Sequence, residues 1–187
     1  MADSLERLAG KPAQRTAGIP AQCSDVDGAG SSPAAISAPH VIRGVLRLFA
    51  RNDIWCLTEM PLRGGRRADV MGIDAKGRIV IVEIKVARAD LLGDSKWTDY
   101  LEFCDRFYWG LAPHLDRACM QTKAFRPEVC GLIVADGYDA EILRPAASLP
   151  LAATRRKVEV ERLARASMRR QVVSTDPMLS AWGSRDG

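Results

Sequence analysis

Apolar positions recur at spacings of three and four in "HVIRGVLRLFAR", where Val41, Val45, Leu48 and Phe49 form one stripe and Arg43, Arg47 and Arg51 lie elsewhere on the wheel. That spacing predicts a first helix with a single buried face. "DIWCLTEMPL" then reads as a strand, closed by Pro61 and the Gly64-Gly65 turn. "RRADVMGID" and "RIVIVEIKV" follow as a second and a third strand, and "VARADLLGDS" as a looser linker. Beyond it Trp97, Tyr100, Leu101, Cys104, Phe107, Tyr108 and Leu111 again fall at helical spacing, which predicts a long helix packed on the core. "VCGLIVADG" reads as a short buried strand, "AEILRP" as an edge strand, and a basic helix runs on to Arg170. Residues 1–37, rich in Ala, Gly, Ser and Pro without periodicity, read as a disordered arm, and residues 171–187 as a frayed tail. The organised domain is therefore expected over 38–170. Tight turns start the sheet antiparallel, and a helix between the third and fourth strands permits a parallel crossover. The predicted fold is α/β, a mixed sheet flanked by helices.

Composition narrows the function classes. A chain of 187 residues with 47% apolar content builds one core and is not disordered throughout. No window approaches the run of about 20 apolar residues that a membrane span needs, and "MADSLERLAGKPAQRTAG" lacks the apolar stretch of a secretory signal. The five cysteines show no C-x-x-C pair, so zinc ribbons and disulfide frameworks are not expected, and a reducing cytoplasmic setting is. Nucleotide-binding glycine motifs are missing from the sequence. Net charge is +4, but "RRKVEVERLARASMRR" alone carries seven basic and two acidic residues, a local +5. Such a segment suits a polyanion, or serves as a solvated helix face.

The chemistry sits in "RRADVMGIDAKGRIVIVEIK", where apolar strands meet Asp69, Glu83 and Lys85. Asp74 and Gly77 in "DAKG" fit a type I turn with Gly77 at positive φ, a three-residue hairpin loop. That loop sets Asp74 opposite Arg78, so opposed residues sum to 152 and Asp69 faces Glu83. Period two puts Ile79, Ile81, Glu83 and Lys85 on one face and Val80, Val82 and Ile84 on the other. Like charges directly opposed destabilise a sheet unless neutralised. Mg²⁺ or Mn²⁺ held by both carboxylates and several waters would do so, with Lys85 beside it to steady a phosphate or orient a water. The plainer reading is a salt bridge, with Asp69 paired to Arg66 or Arg67 at a strand end.

Asp69 followed by Glu83-Ile84-Lys85 across a hairpin resembles the core of the PD-(D/E)xK nuclease superfamily. "EMPLRGGRRADVMGIDAKGRIVIVEIK" and "DLLGDSKWTDYLEFCDRFYWGLA" together resemble the MmcB family of bacterial DNA repair proteins. The resemblance implies a restriction-endonuclease-like fold, metal ligation by Asp69, Glu83 and the Ile84 carbonyl, and Lys85 as the catalytic lysine. Glu59, before "PL", would stand in for the acid that the first helix lacks. Asp94, Lys96 and Asp105 match the family segment after the lysine, as site support or as ordinary ion pairs. Arg63, Arg66 and Arg67, with Arg155, Arg156, Arg162 and Arg165, are the expected phosphate contacts. The implied role is metal-dependent DNA hydrolysis in repair, with other repair proteins as possible partners. The rival role is a non-catalytic DNA-binding adaptor, and an RNA or nucleotide enzyme is a third reading with only the metal site behind it.

Overall fold

The computed structural model describes residues 36–93 and 96–182. Helix α1 spans Ala38–Ala50, and a capping box closes its first turn: the Ser37 N–H meets His40 Nδ1 at 3.2 Å. Val41, Val45, Leu48 and Phe49 are buried, as the stripe predicts. Three strands follow, β1 (Ile54–Pro61), β2 (Arg67–Asp74) and β3 (Ile79–Lys85), paired antiparallel in sequence order. A short helix, α2 (Arg88–Gly93), occupies the linker after Lys85.

The long helix expected over Trp97–Leu111 does not form. Trp97–Glu102 is a 3₁₀ helix, and Arg106–Leu111 is a fully buried strand, β4, parallel to β3. Both faces of β4 are covered. Phe107 and Trp109 pack under Trp97, with ring centroids 5.6 and 5.3 Å away, while Tyr108 meets Phe49 of α1 edge-on. A strand that is apolar on both faces has no alternation to betray it, so its spacing satisfies a helical template equally well.

Strands β5 (Gly131–Ala135) and β6 (Ala140–Arg144) complete a six-stranded sheet in the order β1-β2-β3-β4-β5-β6. The β4–β5 pair is parallel and β5–β6 antiparallel. This mixed sheet flanked by helices is consistent with a restriction-endonuclease-like fold. The basic helix, α3, runs over Ala153–Thr175, and a 3₁₀ turn follows at Pro177–Trp182. Regular structure thus persists through much of the segment expected to fray, whereas the expected N-terminal arm lies almost wholly outside the described residues. Among the described residues no helix is long and apolar enough to cross a membrane.

Candidate functional site

The β2–β3 turn sets the register of the site. Asp74 Oδ1 accepts the Lys76 and Arg78 N–H groups at 2.9 Å, Oδ2 takes the Arg78 guanidinium, and Gly77 sits at φ +73°. Val70–Val82, Met71–Ile81, Gly72–Val80 and Ile73–Ile79 are opposed, the register that a three-residue loop dictates. One step further out Asp69 comes level with Glu83. There its Oδ2 accepts the N–H of Ile84 at 2.8 Å, fixing the carboxylate to the backbone between Glu83 and Lys85.

Glu83 and Lys85 share the sheet face opposite α1. Lys85 Nζ lies 3.3 Å from Glu83 Oε1, and the two side chains are 9% and 10% exposed. The ammonium also stands 5.8 Å from the centre of the Trp109 ring, and Trp109 is the register partner of Glu83 on β4. Burial pushes the Asp69 carboxyl above the usual aspartate range. The Ile84 N–H, Lys85 and Arg67 oppose that rise, and Glu59 adds to it. A carboxyl, an ammonium and a second carboxyl are thus held at one end of the hairpin with little solvent.

Glu59 approaches this group from β1. Thr58–Val70 and Met60–Ala68 pair on either side of it, leaving Glu59 level with Asp69 but outside the ladder, at φ +52°. Left-handed backbone at a non-glycine residue costs on the order of 1–2 kcal/mol and marks a locally enforced geometry. Its carboxylate accepts Arg67 Nε at 2.6 Å, and its carbonyl, with that of Thr58, accepts Arg170 from α3. Acids therefore stand at one level on three adjacent strands, yet Glu59 is turned to Arg67. No group of three His, Cys, Asp or Glu among the described residues is arranged to ligate a metal.

The remaining expected residues separate sharply. Asp105 is not near Lys85: it lies at the opposite end of β3, 1% exposed, accepting the Ile79 N–H at 2.7 Å, the Leu151 N–H at 2.9 Å and Arg156 at 2.6 Å. It anchors the sheet to the start of α3, and its role as site support is corrected accordingly. Arg156 is held by that carboxylate and by the Gly77 carbonyl. Arg155 lies over the Phe103 ring and near Glu159, and Arg162 binds Glu159 and the Pro61 carbonyl, so these arginines fasten α3 in place. Arg66 pairs with Asp99 and Arg67 with Glu59. Arg63, Lys96 and Arg165 are exposed, without an ion-pair partner among the described residues, and Asp94 lies outside those residues. Trp109 and Arg170, which border the site, went unassigned from sequence. Trp109 falls outside the apolar stripe that the helical spacing picks out, and Arg170 is one of a run of similar charges.

The donor chemistry fits a hard divalent cation that keeps most of its water. Two carboxylates are present, with the Ile84 backbone between them, and no soft sulfur donor is among these groups. The buried Nε1–H of Trp109 has no acceptor among the described residues, which suits a site that admits water or an anionic oxygen.

Residues 26–178 match the family model for MmcB-like DNA repair proteins. A solved structure of a protein of unknown function from Silicibacter pomeroyi is 38% identical. It matches 75% of this chain and 92% of its own with a TM-score of 0.66. No curated protein matches significantly.

Proposed function

The chain belongs to the MmcB-like family of DNA repair proteins, and from that premise we propose that it hydrolyses phosphodiester bonds in DNA with a divalent metal held at the open end of the β2–β3 hairpin. One observation carries the reading: Glu83 and Lys85 are buried together at 3.3 Å beside Asp69, whose carboxylate is tied to the Ile84 N–H. Desolvating three ionisable groups is costly, and an ordinary hairpin end would hold apolar residues there. Such a cost is familiar where groups are held ready for chemistry.

Asp69, Glu83 and the Ile84 carbonyl would hold Mg²⁺ or Mn²⁺, which would supply Lewis acidity and a water nucleophile at neutral pH. The Ile84 N–H orients Asp69. Lys85, backed by the Trp109 ring, presents a cation where negative charge grows on a phosphate, and the surrounding apolar strands strengthen that interaction by excluding solvent. Glu59 and Arg67 form the rim toward β1, and other repair proteins are the natural partners of such an activity.

One finding favours the adaptor role, in which the protein binds DNA and cuts nothing: the third acid, Glu59, is paired to Arg67 instead of joining the other two. A panel of single-stranded, duplex, branched and damaged DNA incubated with Mn²⁺ decides between them. The nuclease reading expects cleavage of at least one substrate, abolished in Lys85→Met protein of unchanged circular dichroism. Cleavage that survives in the variant defeats the catalytic assignment of Lys85, and none by the wild type despite DNA binding leaves the adaptor.

A further inference from the structure

The arginines of α3 divide into two sets. Arg156, Arg162 and Arg170 are turned inward, onto Asp105, Glu159 and the carbonyls of Gly77, Pro61, Thr58 and Glu59. Between the last two anchors, Arg165 and Arg169 are exposed and have no ion-pair or hydrogen-bond partner among the described residues. They are four residues apart, so they project from one face of the helix one above the other. Like charges at that spacing repel, and no carboxylate among the described residues forms an ion pair with either. Met168, 67% exposed, and Val172, 49% exposed, lie on the same outward side. Ala166 faces the core instead.

We propose that this outward face of α3, from Arg165 to Val172, is the surface that grips the nucleic-acid backbone, with Arg165 and Arg169 on phosphates and Met168 against the sugars and base edges. Charge complementarity selects the occupant. Two unneutralised guanidiniums a helical turn apart suit successive phosphates, and an exposed thioether between them suits the apolar contact that groove-binding proteins place beside such arginines. Position supports it too: Arg162 and Arg170 fasten this stretch across Pro61, Thr58 and Glu59, so the face borders the hairpin end that carries Asp69 and Lys85. A strand gripped there would be presented to that end. The inference rests on the nucleic-acid reading above but not on cleavage.

Fluorescence anisotropy with labelled duplex and single-stranded DNA, over a series of salt concentrations without divalent metal, tests it. R165E/R169E is compared with a charge-matched control on another exposed surface, R117E/K123E. The expected result is a loss of affinity of tenfold or more in R165E/R169E. Its plot of log affinity against log salt should flatten by about two phosphate contacts. The control should change much less, and thermal melting should be the same for all three proteins. Equal losses in both double variants would mean a general charge effect and overturn the assignment, as would no loss in R165E/R169E. If the wild type binds no DNA in either form, the nucleic-acid reading itself falls. If it binds DNA but the two arginines are immaterial, only this face is wrong.

Discussion

Asp69 accepts the Ile84 N–H at 2.8 Å across the β2–β3 hairpin, so the acid of one strand is fixed to the backbone between the acid and the lysine of the next. Its carboxyl is raised above the ordinary range chiefly by burial. The folded state therefore holds the proton more tightly than the unfolded state, and stability falls as pH rises from the ordinary aspartate value, about 3.9, through the raised one. Asp69→Asn keeps an acceptor for Ile84 and removes that loss. Urea denaturation should show the variant more stable than wild type at neutral pH, with the difference vanishing below about pH 3.9. A difference independent of pH would show that Asp69 ionises freely in the fold.

Lys85 and Glu83 are each other's buried counter-ion. Removing one partner strands the other, which costs about 3 kcal/mol or more, whereas replacing both by apolar groups of similar size is nearly neutral. Lys85→Ala should lower the unfolding free energy by about 3 kcal/mol, and Lys85→Met/Glu83→Leu should recover most of it. A double-mutant cycle by chemical denaturation measures the coupling, and additive losses would place the pair in solvent-like surroundings.

Glu59 holds φ +52° while its carboxylate pairs with Arg67 at the surface. Relief of left-handed strain is worth about 1–2 kcal/mol, and an exposed ion pair about 0.2–1 kcal/mol, so strain wins. Glu59→Gly should raise stability by about 1 kcal/mol in equilibrium unfolding. If the same variant loses DNA cleavage, the strained geometry serves the site.

Asp105 satisfies two backbone N–H groups and Arg156 from a fully buried position. Asp105→Ala should cost about 3–5 kcal/mol. The DNA affinity of the folded protein, measured below its melting transition, should not change. A selective loss of DNA binding or cleavage at full stability would return Asp105 to the site.

The hairpin was legible because its turn is chemically explicit. Gly77 needs positive φ and Asp74 caps the loop, so three residues fix the register and period two does the rest. The first helix was legible from one buried stripe. β4 was not, because burial on both faces erases alternation and its aromatic spacing imitates a helix. Asp105 was unreadable for another reason: its partners Ile79 and Leu151 are 26 and 46 residues away, and only the folded chain brings them together. The same holds for α3. Seven basic residues look alike in a row, yet the fold spends Arg156, Arg162 and Arg170 on its own carbonyls and carboxylates and leaves Arg165 and Arg169 outward. Glu59 gave no local hint of its backbone, since a left-handed glutamate in a strand is imposed by neighbours rather than by propensity.

Titration calorimetry with Mn²⁺ on the DNA-free protein addresses the centre of the account most directly. One equivalent should bind to the wild type, and Asp69→Asn and Glu83→Gln proteins of unaltered circular dichroism should each lose that binding. A wild type that takes up no metal, or variants that take it up as well as the wild type does, would contradict it.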